Sequence, residues 1–328
     1  MIYPKFLNKG STIGICAPSA GVGKKVESFE KSLQHFIKEG YQIVETSSVR
    51  NNCMPSNTPE IRGNEFNELI KAESIDMVWC ASGGDFMIEM LDFVDEKALI
   101  ETPKWFAGYS DPTSLLFHIT TNLDIATIYG NNAGSFDMTQ LHSSLKNALS
   151  IIKGDIVTQK SFELCERERN DENDGYNLDT KVYWKTPNGE VDISGRLIGG
   201  CIDCLQYLIG TRFDGTSKFI EKYKEDGIIW YFDNFALKSE DLFYALWHMK
   251  QAGWFKYAKG IVFGRTLFEG SMLELTYEDA IQRALGKEIP IIMDADIGHV
   301  APKFTIINGA LGHVVANNGK GWLEMELK

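Results

Sequence analysis

Several short stretches of this chain carry residue types that could do hydrolytic chemistry. The first is GYSDPT, 108–113, set between the apolar run KWFAG and the helical pattern TSLLFHIT. Gly108 permits a sharp exit from a strand. Pro112 suits the first turn of a helix, where its missing N–H costs nothing, and Asp111 is a natural N-cap. Ser110 would then stand just before a helix N-terminus, whose partial positive charge favours an alkoxide or oxyanion. Two readings follow. Ser110 is a nucleophile on a strand-to-helix elbow, although the last glycine of GxSxG is missing, or the serine and aspartate only cap the helix.

A serine nucleophile needs a base, an acid to orient it and donors for the oxyanion. Gly83-Gly84 ends another strand pattern. Paired glycines let backbone N–H groups approach a substrate closely, or serve packing alone. Of the six histidines, His35, His118 and His248 lie inside helical patterns, His142 opens one and His313 is in a strand pattern. His299 differs. It lies in DADIGHVAPK, a polar loop directly after the strand IPIIM, where a base is better placed than on a helix face. Asp233 follows the strand GIIWYF and is a candidate acid, or a turn cap. Cys201 and Cys204 form a CxxC without the second ligand pair that a zinc site would want, and the same segment reads as the start of a buried helix.

These residues need elements to hold them. Apolar runs at 12–17, 41–46, 76–80, 104–108 and 125–130 alternate with amphipathic stretches. In one of these, Val26, Phe29, Leu33 and Phe36 share a helical face. Such alternation predicts a parallel sheet with helices on both sides, and a functional site at the carboxyl ends of its strands. The segment SFELCERERNDENDGYNLD, 161–179, is charged and aperiodic and reads as a linker or surface loop. Beyond it, VYWKTPNGEVDISG predicts a hairpin turning at Pro187-Asn188-Gly189. SEDLFYALWHMKQAG predicts a helix ended by Gly253. Further short strands complete a mixed, β-rich half. The expected architecture is α/β, with a Rossmann-like parallel-sheet domain at 1–155, a linker and loop at 156–190, and a β-rich domain at 191–328.

The bulk properties exclude several classes. The 328 residues suit two domains, and 44% hydrophobic with 24% charged residues is ordinary for a soluble globular protein. A formal net charge of −12 argues against a nucleic-acid partner. No signal peptide and no membrane span is expected. Six scattered cysteines read as reduced thiols in the cytoplasm.

Taken in order, GICAPSAG, WCASGGDFMIEMLDFVD, GYSDPTSLLF, GRLIGGCIDCLQYLIGT and IGHVAP resemble the motifs of the LD-carboxypeptidase family of serine peptidases, which includes the microcin C self-immunity peptidases. The resemblance covers nearly the whole chain. It implies a serine, a glutamate and a histidine in that chain order, with the serine at Ser110 and the histidine at His299. Where the family has glutamate, Asp233 stands here; triads elsewhere accept either acid. Glu240 is the fallback. The implied oxyanion donors come from Gly83, Gly84 and Asp111, the site forms between the two domains, and no metal or cofactor is required. Many relatives carry asparagine where Cys201 stands, so substrate contacts there need not carry over. The family implies a homodimer.

Two substrate classes stay open. One is the amide joining a peptide or aminoacyl group to a nucleotide, towards which a long segment with Tyr183 and Trp184 points, if Trp184 stacks on a base rather than packing in a hairpin. The other is the terminal D-alanine of a muropeptide in peptidoglycan recycling. The changed acid and Cys201 also admit a non-catalytic binding protein on the same fold. A dinucleotide site on GICAPSAGVG is poorly supported, because GxGxxG is incomplete and no ribose-binding acid stands out.

Overall fold

The computed structural model describes residues 1–168 and 173–328. Positions 169–172 of the charged 161–179 stretch lie outside the described residues. The chain divides into two compact units, Met1–Asp155 with Thr305–Ile307, and Ile156–Phe304 with Asn308–Lys328.

The first unit alternates strand and helix: β1 (Thr12–Cys16), α1 (Val26–Lys38), β2 (Gln42–Glu45), α2 (Pro59–Lys71), β3 (Met77–Cys80), α3 (Glu96–Glu101), β4 (Trp105–Gly108), α4 (Thr113–Leu123), β5 (Thr127–Tyr129) and α5 (Ser143–Ile152). β3, β4 and β5 are buried along their whole length, as strands covered on both faces must be. On α1, Phe29, Leu33 and Phe36 are buried, as the sequence pattern predicts, and Val26 is half-buried. Thr58 caps α2 by accepting from the Ile61 N–H, with Pro59 at the first helical position. β1 pairs in parallel with β2 on one side and β3 on the other, so the strand order reverses at β1. The loops after β1 and β3 therefore flank a topological switch point, where open α/β sheets bind ligands.

The second unit contains β6 (Gln159–Lys160), β7 (Leu164–Cys165), β8 (Thr180–Lys181), β9 (Val191–Cys201), α6 (Ile202–Leu205), α7 (Thr216–Lys222), β10 (Ile228–Asp233), α8 (Ser239–Gln251), β11 (Ala258–Gly264), α9 (Tyr277–Leu285) and β12 (Ile291–Ala295), then β14 (Leu311–Asn317) and β15 (Lys320–Glu326) after β13 (Ile306–Asn308). Among the described residues its sheet runs β12-β11-β10-β9-β14-β15-β6, while β13 joins the first unit's sheet, β13-β5-β4-β3-β1-β2. The mixed character follows from direction: β9 to β12 are parallel, and β14 and β15 are antiparallel additions. α8 buries Leu242, Leu246 and Met249 and ends at Gly253, which adopts φ +81°. Trp230 stacks on Trp254 at 5.1 Å between ring centroids, in the core beneath the sheet. Among the described residues no helix is long and apolar enough to cross a membrane.

Two expectations need correction here. The Pro187-Asn188-Gly189 turn forms, with the Gly189 N–H donating to the Thr186 carbonyl at 3.1 Å, but its flanks do not pair with each other. Trp184 bridges to Gly319 and Lys185 to Met293, while Val191 starts β9 between β10 and β14. A lone two-stranded hairpin is marginal in water, whereas each flank here buries itself against a larger sheet. Likewise the described part of 156–190 belongs to the second unit instead of running free as a linker. Charge dominates its composition, but Phe162 and Trp184 pack on Phe304 at 5.9 and 5.8 Å.

Phe36 has no solvent exposure and stacks on Trp79 at 5.1 Å. Phe36→Ala is expected to destabilise the protein by about 3–5 kcal/mol, measured by urea denaturation followed through tryptophan fluorescence.

Candidate active site

The strand-to-helix turn after β4 is built by exclusion and strain. A β-carbon on Gly108 would lie 2.9 Å from Cys80 Sγ and 2.9 Å from Pro112 Cβ, so only glycine fits. Ser110 adopts φ +69°, the left-handed region that residues with side chains rarely enter. Asn132, buried after β5, fixes the turn by accepting from the Tyr109 N–H at 3.1 Å. Gly83 faces Ser110: a β-carbon there would lie 3.1 Å from Ser110 Cβ and 3.3 Å from its Oγ. Gly84 adopts φ +143°, and a β-carbon would sit 2.6 Å from Ser19 Oγ. The paired glycines and Ser110 are thus brought together within the first unit.

Asp111 is not the helix cap that the sequence suggests. Pro112 occupies the cap position, without a side-chain capping bond. The buried Asp111 carboxylate turns instead to the paired-glycine loop, accepting from the Met87 N–H at 2.9 Å and from the Ser19 hydroxyl. Those two donors satisfy it better than a helix end already closed by the Thr113 N–H to Ser110 carbonyl bond at 2.9 Å. Burial pushes its pKa up against the pull of Ser19 and Met87. Buried Arg62 supports the same loops, donating to the carbonyls of Pro18 at 2.8 Å and Phe86 at 3.2 Å. Ser19, Arg62 and Asn132 escaped the sequence reading of roles, and only Ser19 and Asn132 carried a signal, as polar residues at strand ends.

In the second unit, Asp233 ends β10 with no solvent exposure. Its carboxylate meets His299 Nδ1 at 2.8 and 3.0 Å and accepts from the His299 N–H at 3.3 Å. A β-carbon on Gly298 would lie 2.0 Å from Asp233 Oδ1, which explains the glycine of IGH. Arg265 clamps the histidine loop: Nη1 donates to Asp296 at 2.6 Å, and Nη2 donates to the carbonyls of Val300 at 3.0 Å and Pro302 at 2.7 Å. Buried Lys303 is a further cation near the pair; burial pushes its pKa down to about 8, against the pull of Asp233.

Cys201 lies opposite Asp233 in the β9–β10 register and is buried. The adjoining Cys204 thiol and burial push its pKa well above the usual thiol range, so it is a neutral thiol beside the acid. Trp184 is 2% exposed, and its indole N–H donates to Asp296 at 2.8 Å. The stacking role expected of it is therefore corrected: the ring serves the core, because its N–H finds a buried carboxylate and its face finds Phe304. Glu240, the fallback acid, anchors a loop, accepting from Ser271 Oγ at 2.6 Å, Met272 N–H at 3.0 Å and Leu273 N–H at 2.8 Å. Of the other histidines, His35 meets the Met138 carbonyl, His118 meets Glu96 and His313 meets Asp192. All six cysteines are free of disulfides, and no cluster of metal-ligating side chains occurs among the described residues.

A strained serine on a strand-to-helix elbow and a histidine anchored by a buried carboxylate are each arrangements that serine hydrolases use. The sequence comparisons agree on the family. Residues 13–130 match the LD-carboxypeptidase N-terminal domain and residues 194–314 the LD-carboxypeptidase C-terminal domain, and the chain belongs to the LD-carboxypeptidase family. It is 25% identical over 317 residues to the microcin C7 self-immunity protein MccF of Escherichia coli, covering 90% of this chain and 88% of that protein. It is 24% identical over 228 residues to the "Probable murein peptide carboxypeptidase" of Bacillus subtilis, covering 68% of this chain and 66% of that one. The fold matches MccF in complex with glutamyl sulfamoyl guanosine at a TM-score of 0.82 and 21% identity, over 99% of this chain and 98% of that one. A MccF-like protein from Bacillus anthracis matches at 0.83 and 21% identity, over 100% of both chains.

Two predictions follow from the second unit. Arg265→Ala leaves Asp296 buried without its cation and is expected to cost about 3–5 kcal/mol, read as a lowered urea midpoint. The bonds from Ser271, Leu273 and Met272 hold the Glu240 pKa down at about 2, from an ordinary 4.5. That anchorage is complete above the ordinary value and is lost as pH falls through about 2. Protection of the amides at 271–275, corrected for the intrinsic exchange rate, should fall across this window in the wild type, and already be low at neutral pH in Glu240→Ala.

Proposed function

We propose that the protein is a metal-independent serine carboxypeptidase-type amide hydrolase with Ser110 as nucleophile, His299 as base and Asp233 as the acid that orients it. One observation carries the reading. Ser110 holds a left-handed backbone conformation, which costs of order 1–3 kcal/mol for a residue with a side chain and persists where function requires it. A glycine would relieve that strain, so the hydroxyl has a use. In this reading Asp233 fixes the tautomer of His299 through Nδ1, and Nε2 takes the Ser110 proton. The hydroxyl attacks the amide carbonyl while backbone N–H groups of the Gly83-Gly84 loop and of Asp111 stabilise the oxyanion. His299 then protonates the leaving amine, and water releases the acyl group.

The amide we favour joins a peptide or aminoacyl group to a nucleotide. Solved structures of MccF with glutamyl sulfamoyl guanosine and aspartyl sulfamoyl adenosine support it. The burial of Trp184 favours a second reading, a muropeptide carboxypeptidase, because it withdraws the aromatic that pointed to a nucleobase. We further propose a cytoplasmic homodimer, on the free cysteines and the family resemblance.

A fluorophosphonate probe is expected to add one adduct at Ser110, found by intact mass and peptide mapping, and none in Ser110→Ala. Lack of an adduct in the wild type would favour a binding protein without turnover. Asp233→Ala should lower kcat by about a thousand- to ten-thousand-fold, and unchanged turnover would remove Asp233 from the triad. Offered aspartyl sulfamoyl adenosine and a muropeptide tetrapeptide, the enzyme should cleave the nucleotide conjugate. Cleavage of the tetrapeptide alone would establish the second reading.

A further inference from the structure

Beside His299 the second unit presents two aromatic rings to solvent. Phe235 lies 4.6 Å from the imidazole, ring centroid to centroid, and Phe268 packs on Phe235 at 5.2 Å in an edge-to-face arrangement. Phe235 is 37% exposed and Phe268 57%. Apolar rings of this size are normally covered. These two are held in place where they stand. The Asp203 carboxylate accepts from the N–H groups of Phe235 and Ala236, both at 2.9 Å. The Phe268 N–H donates to the Phe235 carbonyl at 3.2 Å, tying the two segments together. Arg167 fixes the second segment by donating to the Thr266 carbonyl at 2.8 Å and pairing with Glu269 at 2.7 Å. Glu240 holds its far end at residues 271–273. The acids on the two segments, Asp203 and Glu269, are thereby engaged, and the two rings themselves stay open to solvent.

We infer that Phe235 and Phe268 form a subsite for a planar aromatic ring carried by the leaving group of the substrate. The inference rests on the hydrolase reading above, since the group that protonates the leaving amine stands on the leaving-group side, and that group is His299. A ring sliding over Phe268 meets an aromatic face already fixed, so little conformational freedom is lost on binding. The same chemistry could come from a nucleobase or from an aromatic amino-acid side chain. Either one would make this chain selective against a leaving alanine.

The test compares three amides with one acyl group: aspartyl sulfamoyl adenosine, aspartyl-phenylalanine and aspartyl-alanine. The wild type is expected to favour at least one ring-bearing substrate over aspartyl-alanine in kcat/KM by about tenfold or more, and the favoured arm identifies the source of the ring. Phe268→Leu keeps the bulk and should erase most of that preference, while Phe268→Trp should keep it. Equal preference in wild type and Phe268→Leu overturns the subsite but leaves the hydrolase reading standing, as does a wild type that prefers alanine. Binding decides the matter independently of turnover. In Ser110→Ala protein, saturation-transfer NMR should detect sulfamoyl adenosine or phenylalanine at Phe268 with about tenfold tighter binding than in the Phe268→Leu background. If no substrate is cleaved and no Ser110 adduct forms, the hydrolase reading fails, and these affinities still decide whether the rings bind. Affinities that Phe268→Leu does not change, or a Phe268→Leu effect confined to oligomeric state, would overturn the subsite.

Discussion

Asp233 sits at the end of β10 with no access to water, and a charge placed there must be met by donors within the protein. The histidine loop meets it twice, through the backbone N–H of His299 and through its ring. That requirement determines much around it. Residue 298 must be glycine, because the carboxylate occupies the space of its side chain. The loop must be held from its far side, which Arg265 does through two carbonyls and Asp296. Asp296 in turn engages the Trp184 indole, so a ring far along the chain becomes part of the support.

The first unit solves a related problem in the opposite sense. There the difficulty is backbone strain at Ser110, and strain persists only where the surroundings over-determine it. Asn132 holds the residue before it, Gly83 packs on its side chain, and Asp111 ties the next position to the paired-glycine loop. Close approach without a β-carbon recurs at Gly108 and Gly83 in this unit and at Gly298 in the other. In each case glycine marks a close approach of other atoms that leaves no room for a side chain, and flexibility is not the reason for it.

Much of this was legible in the sequence, for a physical reason. Strands β1 to β5 appear as short apolar runs because both faces are covered, and α1 appears because only one face is. Ser110, Gly83, Gly84, Asp233 and His299 could be singled out because strand ends with small or polar residues are where an α/β sheet offers its chemistry. What could not be read were long-range partners. Nothing local distinguishes Asp111 as a tie to Met87 from Asp111 as a cap. A tryptophan in a charged segment looks available until its partner carboxylate, 112 residues away, is known. Arg62, on which the sequence is silent, is buried against two carbonyls. The turn at Pro187-Asn188-Gly189 was chemically plain, but the strands it joins choose partners by burial over the whole sheet.

The return of Thr305–Ile307 to the first unit has a consequence for the order of synthesis. A ribosome that has made the first 155 residues has made the Ser110 turn but not the strand that covers the edge of β5. An uncovered strand edge is open to pairing with other chains. Strand β13 emerges only after residue 299, so the sheet that carries Ser110 gains its last strand once the histidine has been added to the chain. Cutting the gene between the two units would accordingly yield a first half whose sheet ends at β5, and a second half with a strand left over.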